Sequence, residues 1–141
     1  SLGLTDKVKF LGFQRIDEIL PKVGALILSS ISEALPLVVL EGYAAGVPSI
    51  STDVGSCRQL IYGFGPDDEA LGAAGRVVGI ADPAALADAA VELLGNVDTW
   101  RAARAAGIAR VERYYSDAMM FGAYQQVYDK ALGLPAGGGP A

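Results

Sequence analysis

The chain has 141 residues, of which 52% are hydrophobic, and a formal net charge of -5 at pH 7. This length fits one compact domain with a core of its own. The acidic balance argues against a nucleic-acid partner, which normally binds a basic surface. The chain has no histidine, the commonest general base and metal ligand, so we expect no metal chemistry.

The single cysteine, Cys57, rules out an internal disulfide and fits a reducing compartment. No apolar run approaches the roughly 18 to 20 residues of a membrane span, and no signal-peptide pattern opens the chain. We therefore predict a soluble, cytoplasmic domain. The first residue is Ser1 rather than methionine, and an apolar segment follows within ten residues. We expect a piece of a longer polypeptide.

Strand-like and helix-like segments alternate through the chain, a pattern typical of a parallel sheet with crossover helices. The predicted strands cover residues 8–11, 25–29, 48–51 and 76–80, and a helical turn is predicted at 16–20. The strand at 25–29 is apolar on both faces, which predicts a central place in the sheet.

The helix that follows the second strand has well-marked ends. Pro36 is expected at its first position, and Gly46 followed by Pro48 closes it. After the third strand, four glycines predict an irregular region: Gly55, Gly63, Gly65 and Gly72.

Three helices are predicted in the second half. One covers 83–94, with Asp82 as its N-cap, a second covers 100–114, and a third covers 121–131 with Ser116 as its cap. Four arginines that scatter around the second of these helices are interpreted as solvated surface: Arg101, Arg104, Arg110 and Arg113. Residues 1–134 are predicted to form the domain, and the tail PAGGGPA at 135–141 to be disordered.

Glu33 and Glu41 are the two charges in the apolar stretch SEALPLVVLEGYAAGVPS. In doubly wound sheets, ligands bind where a strand ends and a helix begins, because the helix N-terminus offers unpaired N–H groups and about half a positive charge. Glu33 precedes the helix, and Glu41 lies about one turn inside it. We predict that this pair grips two sets of hydroxyls of a nucleotide-sugar. Spacing alone equally allows two solvated surface acids with no binding role.

The run SEALPLVVLEGYAAGVPSISTDVGSCRQLI resembles the donor-binding signature of the retaining GT-B glycosyltransferases of family 4, which carry two glutamates with seven residues between them. GRVVGIADPAALADAAVELL and ARVERYYSDAMMFGAYQQVYDKAL are similar to the C-terminal half of the same family. TDVGSCRQLI and GRVVGIADP look closest to the branch that makes the Pel exopolysaccharide from UDP-glucose. The resemblance implies an α/β fold, with a Rossmann-like parallel sheet, that forms part of a GT-B C-terminal domain.

The same resemblance implies a role for each residue of the donor site. Glu33 would contact the hydroxyls of the donor sugar and the leaving-group side of its anomeric carbon, which makes it the candidate catalytic residue. Glu41 would hold the ribose. The backbone at Leu35, Leu37 and Val38 would approach the sugar and the distal phosphate.

The chain also departs from the family pattern. Pro36 stands where many relatives have glycine and has no N–H to donate, so one backbone contact to the donor is lost or replaced. Gln59 stands where many members have glutamate, and residues 52–56 would form the loop beside the donor. Family members neutralise the diphosphate with an arginine and a lysine upstream of this chain. Three lysines do not match them: Lys7, Lys9 and Lys22.

The implied activity is transfer of a hexose from a UDP-sugar, UDP-glucose in the closest branch, to a polysaccharide with retention at the anomeric carbon. No cofactor is implied beyond the donor substrate. The acceptor would bind an N-terminal domain outside this chain, and the chain alone is expected to be inactive, to bind donor weakly and to self-associate through exposed sheet edges. Two alternatives stay open, a non-catalytic nucleotide-binding or assembly module and a UDP-sugar epimerase.

Overall fold

The computed structural model describes residues 3–117, which form an α/β fold around a three-stranded parallel sheet in the order β1-β2-β3. The strands are β1 (Leu26–Leu28), β2 (Ser49–Thr52) and β3 (Gly75–Val78). The helices are α1 (Ile16–Ile19), a 3-10 turn (Leu20–Lys22), α2 (Leu37–Ala44), α3 (Cys57–Tyr62), α4 (Pro66–Glu69), α5 (Pro83–Gly95) and α6 (Val97–Tyr114). The predicted Rossmann-like sheet with crossover helices is confirmed.

β2 lies in the middle of the sheet and β1 at one side of it. Ile50 of β2 is opposite Ile27 of β1 and Arg76 of β3, and all four residues of β2 are buried. Ile27 is 53% exposed. The predicted central place of the 25–29 strand is therefore wrong for residues 3–117, because in this part of the chain β1 has a partner strand on one side only.

The strand predicted at 8–11 is also wrong. Residues 8–11 are irregular and exposed, and Phe10 and Phe13 are each 97% exposed. A strand requires a neighbour that satisfies its N–H and C=O groups. None of the strands between residues 3 and 117 pairs with this segment.

The sheet has apolar packing on both faces, because successive residues of β2 point to opposite sides. On one face Ile50 packs with three residues of α5 and α6: Ala89, Leu93 and Ala103. On the other face the Tyr43 hydroxyl of α2 is 2.8 Å from the Ser49 hydroxyl, and burial raises the pKa of Tyr43. Tyr43 belongs to a second cluster with Val39, Leu60, Ala74 and Ala106. Helix α6 contributes to both clusters and so joins the two layers.

Two short helices, α3 and α4, occupy the region predicted to be irregular. The glycines there do adopt the left-handed conformation that punctuates a chain, with φ of 105° at Gly63 and 84° at Gly65. The segment CRQLIY just before them nevertheless folds as α3, since Leu60 and Ile61 are buried. The glycines thus break the regular structure as predicted, but the two short helices α3 and α4 were not predicted.

The helices of the second half follow their predicted caps. The Asp82 side chain accepts a hydrogen bond from the Ala85 N–H at 2.9 Å, as predicted, and α5 ends at Gly95. Helix α6 begins at Val97, three residues earlier than predicted, because the Asn96 side chain caps it. The predicted helix at 121–131 and tail at 135–141 lie outside the described residues. No helix between residues 3 and 117 combines the length and apolar character that crossing a membrane requires.

Arg110 is not part of a solvated surface, so the prediction for this arginine is wrong. Its side chain is fully buried, and its Nε is 2.6 Å from the Asp68 carboxylate. Its two terminal nitrogens donate to four carbonyl oxygens, those of Leu60, Ile61, Asp68 and Gly72. Asp68 also accepts from the Phe64 N–H at 2.9 Å. The ion pair thus joins α6 to the α3–α4 region. Arg101, Arg104 and Arg113 are exposed, as predicted.

We predict that Arg110→Met lowers the free energy of unfolding by about 3 to 5 kcal/mol, because it leaves the Asp68 carboxylate buried without its partner. Urea unfolding followed by circular dichroism measures the change. The matched control is Arg101→Met on the exposed side of the same helix, which should change stability by less than about 0.5 kcal/mol. Equal effects of the two substitutions would contradict the structural role of the ion pair.

We also predict self-association through the outer edge of β1, the side of this strand that does not pair with β2, where Ile27 is an exposed apolar residue. Light scattering should give a mass above that of a monomer at micromolar concentration, and Ile27→Lys should restore the monomer, because a charged edge resists pairing. The control is Val91→Lys, which alters an exposed apolar residue of α5 that is 72% exposed. A wild-type chain that stays monomeric would contradict this prediction.

Candidate functional site

The candidate site lies where β1 ends and α2 begins, in residues 29–36, the β1–α2 loop. Pro36 is the N-cap of α2 rather than its first residue, a difference of one position, and no side chain caps the helix by a hydrogen bond. The first N–H groups of a helix have no partner within the helix. The helix therefore presents unpaired donors and the positive end of its dipole at this end of the sheet.

The structure places the predicted site residues in the β1–α2 loop and in α2. Glu33 is half-buried in the loop, and its Oε1 accepts a hydrogen bond of 2.7 Å from the Ser30 hydroxyl. Glu41 is exposed and is the fifth residue of α2. Leu35 and Leu37 are exposed, and Val38 is half-buried. The binding roles predicted for these residues stay predictions.

A second loop supports the first. The β2–α3 loop, residues 53–56, follows β2 and lies directly against the β1–α2 loop. The Ser56 N–H and hydroxyl both donate to the Ala34 carbonyl, at 3.0 and 2.8 Å. The Thr52 hydroxyl at the end of β2 donates to the Ser30 carbonyl at 2.5 Å. Residues 53–56 therefore lie beside the β1–α2 loop, and their place beside the donor stays a prediction.

Arg58 is a cation close to this region that sequence reasoning did not single out. Its guanidinium forms an ion pair of 2.5 Å with Asp53 and lies 5.9 Å from the centre of the Tyr62 ring. The hydrogen bond from Arg58 lowers the pKa of the Asp53 carboxyl. The sequence signal that could have found Arg58 is its place two residues after Ser56, the last residue of the loop predicted at 52–56. Three lysines near the start of the described residues are exposed: Lys7, Lys9 and Lys22.

A cavity of about 330 Å³ lies against α3 and the end of α6. Its described lining consists of Gln59, Phe64, Asp68, Tyr114 and Tyr115. The charged member of this lining, Asp68, already binds Arg110 and the Phe64 N–H. The cavity therefore offers no unpaired charge to a ligand, and the β1–α2 loop is the better candidate. Gln59 contributes a neutral amide to this lining.

Residues 3–117 contain no group of three histidine, cysteine, aspartate or glutamate side chains that could hold a metal ion. The β1–α2 loop and α2 offer helix amides, carboxylates and hydroxyls. Such groups bind an anion and accept hydrogen bonds from a diol, which is the combination that a nucleotide-sugar presents.

The family described as glycosyl transferases group 1 matches residues 1–96. This match covers more than half of the chain and includes the β1–α2 loop, α2 and the β2–α3 loop. The chain belongs to this family of glycosyltransferases, and its fold is that of a GT-B C-terminal domain.

Three curated proteins show the range of its relatives. An N-acetyl-alpha-D-glucosaminyl L-malate synthase of Bacillus anthracis is 33% identical over 102 residues, 72% of this chain and 25% of that protein. A lipopolysaccharide core biosynthesis mannosyltransferase of Rhizobium meliloti is 28% identical over 131 residues, 92% of this chain and 36% of that protein. An exopolysaccharide phosphotransferase of Streptomyces coelicolor is 37% identical over 98 residues, 68% of this chain and 10% of that protein. The matched part thus spans about a third or less of each relative.

Proposed function

We propose that this chain is the donor-binding half of a retaining glycosyltransferase of family 4 that transfers a hexose from a UDP-sugar to a polysaccharide. The observation that carries the proposal is the β1–α2 loop of a chain that belongs to the glycosyl transferases group 1 family. There Glu33 precedes an uncapped helix N-terminus, and Glu41 lies one turn inside that helix. The acceptor would bind a further domain of the natural polypeptide that carries this sequence.

In the proposed complex, the diphosphate of the donor lies against the N-terminus of α2, where the N–H groups of Leu37 and Val38 approach the distal phosphate. The backbone at Leu35 approaches the sugar. Glu33 accepts hydrogen bonds from the sugar hydroxyls, and Glu41 accepts both hydrogens of the ribose diol. Charge-assisted hydrogen bonds of this kind contribute about 1.5 to 3 kcal/mol each.

The reaction requires no protein base in this mechanism. As the bond between the anomeric carbon and the phosphate oxygen breaks, the departing diphosphate takes the proton of the acceptor hydroxyl, whose oxygen bonds to the same face of the sugar. The amides of the α2 N-terminus stabilise the charge that develops on the leaving group. Glu33 assists from the side of the sugar ring.

We propose glucose as the sugar and UDP as its carrier, on the likeness of TDVGSCRQLI and GRVVGIADP to the Pel branch. Two relatives carry the words lipopolysaccharide core and exopolysaccharide in their names, which supports a polysaccharide acceptor. A non-catalytic module of the same fold has no need of either glutamate, whereas this chain retains both. The epimerase alternative requires acids from outside this chain, and product analysis with radiolabelled UDP-hexoses separates the three activities.

We predict that Glu33→Gln and Glu41→Gln change different kinetic constants in the natural polypeptide. Glu41→Gln should raise the KM for the UDP-sugar roughly 10- to 150-fold, because the loss of one charge-assisted contact costs about 1.5 to 3 kcal/mol. Glu33→Gln should lower kcat by about 100-fold, because its contacts strengthen as the sugar becomes cationic. Steady-state transfer from radiolabelled UDP-glucose gives both constants.

The matched control for both glutamate variants is Glu112→Gln, which removes one negative charge from the exposed side of α6. It should leave kcat and KM within twofold of wild type. If all three variants behave alike, the two glutamates have no role in the donor site, and the proposal is wrong.

The 141-residue chain alone should bind UDP with a dissociation constant above about 1 μM. Two carboxylates near a diphosphate repel it by about 1 to 4 kcal/mol per pair of charges at 4 Å, and Lys7, Lys9 and Lys22 do not match the cations that relatives use. Isothermal titration calorimetry with UDP measures the affinity. Sub-micromolar binding would refute this prediction.

A further inference from the structure

The two loops at the carboxyl end of the sheet are joined on both sides of Glu33. Before Glu33, the Thr52 hydroxyl donates to the Ser30 carbonyl at 2.5 Å. After Glu33, the Ser56 N–H and hydroxyl donate to the Ala34 carbonyl at 3.0 and 2.8 Å. Thr52 is 4% exposed, so its hydrogen bond is shielded from water. The backbone that carries Glu33 is therefore anchored at its start by the end of β2 and at its end by the β2–α3 loop.

Gly55 allows this close approach. Its φ is 50°, in the left-handed region that favours glycine, and a Cβ built on it would lie 2.0 Å from the Glu33 carbonyl oxygen and 2.7 Å from that of Ala34. Both obstructing atoms belong to the backbone, so neither can rotate away as a flexible side chain would. Any residue other than glycine would push the Glu33 backbone away from the β2–α3 loop.

Ser30 extends the support from the backbone to the side chain. Its carbonyl accepts from Thr52, and its own hydroxyl donates to Glu33 Oε1 at 2.7 Å. One carboxylate oxygen of Glu33 is thus held by the protein, and the other keeps its full capacity to accept hydrogen bonds from a ligand. This chain of contacts runs from the end of β2 to the carboxylate.

We infer that Ser30, Thr52, Gly55 and Ser56 are positioning residues that set the location and orientation of the Glu33 carboxylate before the donor arrives. None of them needs to touch the sugar for this role. The inference rests on the proposed function, in which Glu33 contacts the donor, and it extends that function to four residues of two loops. A site of this kind must hold its reactive group within about 0.5 Å of the productive position, so small losses of support affect the rate.

The test compares Thr52→Val and Ser30→Ala in the natural polypeptide. Each removes one hydroxyl of the chain of contacts and should lower kcat/KM for UDP-glucose about tenfold, mainly through kcat. Thr52→Ser and Ser30→Thr restore a hydroxyl and should return kcat/KM to within about threefold of wild type. The control is Ser32→Ala, an exposed serine of the same loop, which should change nothing. Wild-type kcat/KM in both hydroxyl-deletion variants would overturn the inference.

A second measurement tests the inference without an activity assay. In NMR spectra of the 141-residue chain labelled with 13C, each of Ser30→Ala, Thr52→Val and Gly55→Ala should shift the side-chain carboxyl resonance of Glu33. Gly55→Ala should also speed hydrogen exchange at the Ser56 amide. Ser32→Ala should move neither signal. An unmoved Glu33 resonance in all three variants would overturn the inference.

The two measurements separate the two claims. A natural polypeptide that transfers no hexose, or a Glu33→Gln variant as active as wild type, refutes the proposed function and leaves the resonance test to judge the positioning. Loss of activity in Glu33→Gln with full activity in Thr52→Val and Ser30→Ala refutes the positioning alone.

Discussion

The contact between Gly55 and the backbone of Glu33 is the constraint on which the candidate site depends. Because Gly55 has no side chain, the β2–α3 loop can lie against the β1–α2 loop. Hydrogen bonds from Thr52 and Ser56 then hold the two loops together. The parallel pairing of β1 with β2 brings both loops to the same end of the sheet. Gly55 then allows the two loop backbones to come into contact.

The rest of the domain serves to hold that end of the sheet in place. Helix α2 packs through Tyr43 against β2 and α6, and α6 is tied to the α3–α4 region by the buried pair of Arg110 and Asp68. Arg110 donates to the Asp68 side chain and to four carbonyls in and just after α3 and α4. A polar network inside a small domain is tolerated here because each buried side-chain nitrogen and oxygen of the described residues has a partner.

Much of the fold follows from the sequence, because apolar runs and caps carry local information. Asp82 indicates the start of α5, and Gly46 followed by Pro48 indicates the end of α2 before β2. The edge position of β1 and the burial of Arg110 were not predictable, since both depend on which distant segments become neighbours. The link from Ser30 to Glu33 was not predicted, although the two residues are only three positions apart. The binding roles of five residues stay predictions, because only a complex with the donor shows which side chains contact it: Glu33, Leu35, Leu37, Val38 and Glu41.

The central claim is that a nucleotide-sugar lies across the N-terminus of α2 between Glu33 and Glu41. A crystal structure of the natural polypeptide with a non-hydrolysable UDP-hexose tests it most directly. We expect the Glu33 carboxylate within hydrogen-bond distance of the sugar hydroxyls, the Glu41 carboxylate on the ribose diol and the diphosphate against the first amides of α2. A nucleotide bound elsewhere, with both carboxylates surrounded by solvent, would contradict the account.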